Sequence, residues 1–145
     1  MAVMTLEERF SRALHNTARA WRLALDRRLK DLGVGQAGWM TIATVAKATE
    51  PLSQSELANR LGVENPTVVS MVDRLVKAGL LLREPSTSDR RIKYLVLTDA
   101  GQQLYQRVRA EADAFRIELL HDIDPTLLAT MTNVLETLQS RAEQA

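Results

Sequence analysis

Residues 63–75 read VENPTVVSMVDRL. Val68, Met71, Val72 and Leu75 fall at i, i+3, i+4 and i+7, the spacing of one face of an α-helix. Thr67, Val69, Ser70 and Arg74 fall between them and turn the other way. The first set is a core face. The second offers two hydroxyls, an uncovered valine and a guanidinium, a set suited to touching something outside the protein's own interior. Asn65-Pro66 reads as the N-cap and first residue of this helix, and Gly79 ends it.

Working upstream, Ser53-Gln-Ser-Glu56 is a capping-box pattern that opens a short helix holding Leu57, Ala58 and Leu61, closed by Gly62. Before it, Gly35-Gln36 opens a helix through Trp39, Ile42, Val45 and Ala46, which the Glu50-Pro51 step breaks. Residues 6–32 form a long amphipathic helix, with Leu6, Phe10, Leu14, Ala18, Trp21, Leu25, Leu29 and Leu32 at threes and fours. Gly33 is its stop. At about 1.5 Å per residue this helix is near 40 Å long, more than a small domain needs for its own core.

Working downstream, Leu80–Glu84 is a short apolar strand, residues 85–91 a charged turn, and Ile92–Leu97 a second strand rich in β-branched and aromatic residues. Thr98 caps another long helix, with Leu104, Val108, Ala112, Phe115 and Leu119 on one stripe. Asp124-Pro125 opens a last helix carrying Leu128, Met131, Leu135 and Leu138. Two short helices joined by a tight turn, followed by a basic hairpin, make a winged helix-turn-helix. Its second helix fits a major groove about 12 Å wide. The fold class is therefore mainly α with a small β-hairpin wing: residues 35–98 form the winged lobe, and residues 1–34 with 99–145 form a helical region, to which the resemblance described below assigns dimerisation.

The chain has 145 residues and a net charge of +1, so total charge names no partner. The layout does. Residues 74–93 hold Arg74, Lys77, Arg83, Arg90, Arg91 and Lys93 against Glu84 and Asp89 alone. A local patch of that kind attracts polyanions even on a nearly neutral protein, because screening confines each charge to about a Debye length. There is no cysteine, which excludes disulfides, thiolate chemistry and Cys-ligated metal. The N-terminus is charged within a few residues and shows no signal-peptide core. No apolar run reaches the roughly 18–20 residues of a membrane span. A cytoplasmic, soluble protein is expected. The sequence has no nucleophile elbow, P-loop or dinucleotide fingerprint. His15 and His121 lack clustered partners, and His121-Asp122-Ile-Asp124 reads as a polar helix-ending turn. No catalytic residue, metal or cofactor is expected.

LANRLGVENPTVVSMVDRLVKAGLLLRE, followed by SDRRIKYLVLTDAG, resembles the winged helix-turn-helix of the MarR/SlyA family of bacterial transcription regulators. The family's wing signature is carried by Asp89, Arg91, Leu97-Thr98 and Gly101, and the flanking long helices match its order. The resemblance implies a homodimer that binds double-stranded DNA at a pseudo-palindrome, with half-sites about 10 base pairs apart. It implies that Arg91 enters the minor groove and that Asp89 holds its guanidinium, with Arg90 sharing the task. Two departures bear on recognition. Gly35-Gln36 stands where the family often has Thr-Pro. Ser70 stands where it often has Arg, which shifts the burden toward shape readout and the wing.

The expected DNA-binding residues are Ser53, Asn65, Pro66, Thr67, Val69, Ser70, Arg74, Asp89, Arg90 and Arg91. Val69 suits a thymine methyl, and Arg74 a phosphate. The expected dimer contacts are Leu6, Phe10, Leu127, Leu128, Met131, Leu135 and Leu138. Relatives commonly release DNA on binding small aromatic molecules, and Trp21, Arg22, Trp39 and Met40 are the candidates by position. The alternatives are an architectural DNA-binding protein of weak sequence preference and a helical module whose hairpin binds protein.

Overall fold

The computed structural model describes residues 2–145. One compact unit runs to Ala112 and a second spans Asp113–Ala145. The first opens with α1 (Leu6–Arg28), followed by a single 3-10 turn at Lys30–Leu32, α2 (Gly35–Lys47), β1 (Leu52–Ser53), α3 (Gln54–Leu61) and α4 (Asn65–Lys77). Then come β2 (Leu81–Pro85), β3 (Lys93–Leu97) and α5 (Asp99–Leu120), within which the unit boundary falls; α6 (Pro125–Gln144) lies in the second unit.

The N-terminus of α1 is fixed by a capping box. The Thr5 hydroxyl accepts the Glu8 N–H at 3.1 Å, and the Glu8 carboxylate accepts the Thr5 N–H at 2.9 Å. The expected helix over residues 6–32 is interrupted four residues from its end. Leu29 leaves helical geometry at φ −94°, ψ 4°, and Gly33 closes the 3-10 turn at φ 76°. The remaining 23 residues still span about 35 Å.

The wing is a three-stranded antiparallel sheet in the order β1-β3-β2, rather than a lone hairpin. Leu52 pairs with Leu95 and Ser53 with Tyr94, so the chain entering α3 is tied to the wing before the helix begins. A two-residue strand has no periodicity, which is why the pattern of apolar residues did not disclose it. On the other side Leu81 pairs with Leu97 and Arg83 with Leu95.

The core lies where these elements meet. Ile42, Leu57, Ala58, Val68, Val72, Leu75, Leu81, Leu95 and Leu104 form one buried cluster drawn from α2, α3, α4, both long strands and α5. Each of its larger side chains stabilises the unit by about 1.5–3 kcal/mol relative to an exposed state. The helix α4 contributes the four residues its spacing predicts, Val68, Met71, Val72 and Leu75, all buried.

A close approach locks α5 to the end of the wing. Thr98 donates its hydroxyl to the Gly79 carbonyl at 2.6 Å and accepts the Gly101 N–H at 3.0 Å. Its own N–H meets the Leu80 carbonyl at 3.1 Å. A Cβ on Gly101 would sit 2.2 Å from that same carbonyl oxygen, so only glycine fits. In the second unit, Asp124 caps α6 by accepting the Thr126 N–H at 2.8 Å. No residue of α6 is buried. No helix among the described residues is long and apolar enough to cross a membrane.

Candidate nucleic-acid interface

The outward face of α4 is the first part of the site. With Val68, Met71, Val72 and Leu75 buried, helical geometry leaves Asn65, Pro66, Thr67, Val69, Ser70 and Arg74 exposed. The Asn65-Pro66 pair predicts Asn65 at the N-cap. In the structure Glu64 holds that position at φ −76°, ψ 151°, Asn65 is already helical, and Pro66 follows within the first two positions. Proline fits there because its missing N–H has no helical partner to lose. The Glu64 side chain makes no capping bond, so it leaves the first-turn N–H groups of Asn65 and Thr67 uncapped at a helix N-terminus, where the backbone favours anions. Gly79 ends the helix as expected, at φ 79°, with Leu80 N–H on the Leu75 carbonyl and Gly79 N–H on the Val76 carbonyl.

Ser53 caps α3 by accepting the Glu56 N–H at 3.2 Å. The reciprocal bond differs from the expected box, because the Glu56 carboxylate meets the Ser53 hydroxyl instead of its backbone.

The wing supplies the second part. Arg91 lies at its tip with its side chain 91% exposed. Asp89 grips it three ways: Oδ1 accepts the Arg91 backbone N–H at 3.0 Å and Nε–H at 3.2 Å, and Oδ2 accepts Nη2 at 3.2 Å. These Arg91 bonds hold the Asp89 carboxyl below its ordinary value of 3.8, through the guanidinium first and the backbone N–H second. Two parallel bonds to a planar guanidinium fix its direction as well as its place. Arg90 is exposed beside it.

The loop beneath is organised by Ser86, which is buried. Its Oγ accepts the N–H groups of Ser88 at 3.2 Å and Asp89 at 3.4 Å, while its own N–H reaches the Ile92 carbonyl at 2.8 Å. Ser86 is not among the residues expected at the site; an S-x-S-D stretch in a turn is the signal that marks such a side-chain-to-backbone turn. Between the start of α3 and the wing lies a cleft of about 400 Å³, bordered by Ser53, Gln54, Arg83, Arg91 and Lys93 among others.

Arg83 differs from its neighbours in the basic stretch. Its Nε–H donates to Gln54 Oε1 at 2.9 Å and its Nη2 to Asp73 Oδ1 at 2.5 Å. From the sequence it is one charge of the basic stretch. Residues 54, 73 and 83 share no short period that would have joined them.

The four candidate ligand residues lie on α1 and α2. Trp39 is buried, with its indole N–H on Asp26 Oδ1 at 3.0 Å. Trp21 is half-buried and Arg22 exposed. Met40 lines a cleft of about 160 Å³ with Leu61, Val63 and Met71, which the other three do not line. Of the candidate dimer residues, Leu6 and Phe10 of the first unit are 73% and 46% exposed. In the second unit, Leu127, Met131 and Leu135 are exposed, and Leu128 and Leu138 half-buried. Among the described residues no group of three or more His, Cys, Asp or Glu is placed to hold a metal.

Comparison with known proteins agrees with this geometry. Residues 42–93 match the model of the MarR family. Across the chain, the transcriptional regulator PA3341 is 37% identical, with a TM-score of 0.88 over 94% of this chain and 99% of that one. CouR from Rhodococcus jostii RHA1, solved with p-coumaroyl-CoA, is 23% identical, with a TM-score of 0.81 over 94% of this chain and 95% of that one. MepR of S. aureus, solved with DNA, is 20% identical, with a TM-score of 0.79 over 91% of this chain and 97% of that one.

Proposed function

Because this chain belongs to the MarR family, whose members are transcription regulators and not enzymes, we propose that it is a sequence-specific repressor in the cytoplasm that binds double-stranded DNA as a homodimer. The observation that carries this reading is the pairing of two exposed surfaces. One is the outward face of α4, with Thr67, Val69, Ser70 and Arg74. The other is Arg91, aimed by Asp89 at the tip of the wing. The helix enters a major groove, where Val69 meets a thymine methyl and the hydroxyls meet base edges or phosphates. Arg91 and Arg90 reach the adjacent minor groove, whose negative potential is greatest where it is narrow. Ser53, Asn65 and Pro66 lie close to the backbone, and Arg74 neutralises a phosphate. MepR, which shares this fold, has been solved with DNA, and that supports the same use here.

The deciding experiment is fluorescence anisotropy with DNA from upstream of the protein's own gene, beside a scrambled duplex, at two salt concentrations. The expected result is roughly thousandfold tighter binding to the upstream DNA. Equal, salt-sensitive binding to both, persisting with duplexes selected from a random library, would favour an architectural protein instead.

Two finer readings accompany it. The exposed apolar residues Leu6, Phe10, Leu127, Met131 and Leu135, with Leu128 and Leu138, are covered by a second copy. Small aromatic ligands modulate DNA affinity through the region of Trp21, Arg22, Trp39 and Met40. Support for the second is the indole–Asp26 bond, which joins α1 to α2, so that a ligand disturbing it moves the winged lobe against α1. CouR, of the same fold, was solved with an aromatic acyl-CoA. A salicylate titration that changes neither tryptophan fluorescence nor DNA affinity removes this ligand class.

A further inference from the structure

We infer that Arg83 is a positioning residue: through Asp73 and Gln54 it sets the angle between the wing and the recognition helix, and so governs sequence discrimination without itself touching DNA. The inference rests on the DNA-binding reading above and refines it.

Arg83 leaves β2 at its midpoint, opposite Leu95 of β3. Its guanidinium crosses to two other elements. Nη2 meets Asp73, on α4 one turn beyond Val69 and Ser70, and Nε meets Gln54, the first residue of α3. Three elements of one unit, α3, α4 and β2, thus converge on one planar group. Its side chain is only 25% exposed, and two of its N–H directions are taken. A guanidinium suits this role because its donors keep fixed relative directions, which an ammonium on a flexible stem does not.

Asp73 is the informative partner. It lies on the recognition helix with its side chain 60% exposed, and a bare carboxylate there would repel phosphates. If electrostatics were its whole effect, removing Asp73 would tighten binding to every duplex. If it anchors the strut, removing it loosens the relation between α4 and Arg91, two groups that must reach adjacent grooves together. Binding that depends on both then weakens, while loose backbone association does not. The two accounts predict opposite signs.

The test uses the full-length protein and the tightest duplex it selects from a random-sequence pool, beside a scrambled duplex. Asp73→Ala should lose about tenfold in affinity for the selected duplex, within the range found for coupled contacts, and lose nothing on the scrambled one. The same change in an Arg83→Met background should cause no further loss. Arg83→Lys, which keeps the charge without the fork, should fail to restore discrimination. Thermal midpoints recorded alongside should stay close to wild type, since a partly exposed ion pair adds little stability. Tighter binding of Asp73→Ala to both duplexes, unchanged binding, or an equal loss on both would each overturn the strut. Wild-type protein that selects no duplex would overturn the DNA-binding reading, and the strut's purpose with it.

Discussion

Arg91 presents a nearly bare charge at the wing tip, yet its direction is fixed by one carboxylate. At this scale two outcomes are expected. Arg91→Ala should weaken specific DNA binding by about 1–3 kcal/mol, the range for a single well-placed contact, and leave the far-ultraviolet spectrum unchanged. Unaltered affinity in an anisotropy titration would remove its assigned role. The second outcome concerns pH. The folded Asp89 carboxyl ionises below its ordinary value because Arg91 stabilises the charged form. A depressed folded value means the interaction is fully present above the unfolded value and fades as pH falls through the folded one. The clamp should therefore be intact throughout the neutral range. Carboxyl-detected NMR should place the Asp89 midpoint below 3.8, and Arg91→Ala should return it upward. The Asp89–Arg91 contact, two positions apart, was legible through the wing signature that the family resemblance rests on. Arg83 was not, because its partners lie 10 and 29 positions away.

Elements were legible in proportion to their periodicity. The four-residue seam of α4 and the Gly62 and Gly79 stops came directly from spacing and chirality. The first turn of α4 did not: Asn65 before Pro66 is the locally preferred cap, yet Asn65 is helical and Glu64, with no capping bond from its side chain, holds the cap position, so packing of the folded chain overrides the local preference. The 3-10 turn at Lys30–Leu32 was hidden because Leu29 and Leu32 continue the apolar stripe of α1. At the joint between the wing and α5, Gly101→Ala should destabilise the protein by about 1–3 kcal/mol in urea denaturation. Alanine would gain up to about 1 kcal/mol of helix propensity, but the 2.2 Å approach to the Leu80 carbonyl is a backbone clash and outweighs it. A stabilised variant would show that this junction shifts freely.

At the scale of the molecule, the charge asymmetry and the excess length of α1 forecast a DNA-facing lobe with a separate helical region. The winged lobe is present, and the chain belongs to the family that the wing signature suggested. Whether a second copy covers the apolar stripes was beyond the sequence, because a stripe does not say whether its cover comes from the same chain. The expected outcome is a dimer by light scattering. Substituting Met131→Glu with Leu135→Glu, on a helix whose side chains none lie buried, should halve the mass while leaving helicity intact. Specific affinity should then fall by roughly a hundredfold or more, because the second half-site is no longer engaged by a tethered partner. A variant that remains dimeric would move the interface elsewhere.

The Ser86-centred turn has a consequence for time rather than for affinity. Its bonds to Ser88, Asp89 and Ile92 restrain a basic loop of the kind proteases normally open first. Trypsin has two cleavable bonds there, after Arg90 and Arg91, but must wait for the turn to come apart before a strand of backbone enters its groove. The intact protein should therefore resist nicking between residues 85 and 92 without any nucleic acid present. Ser86→Ala should be cut there quickly. A wing held ready in this way reaches its target already shaped, and little of each encounter is lost to folding the loop.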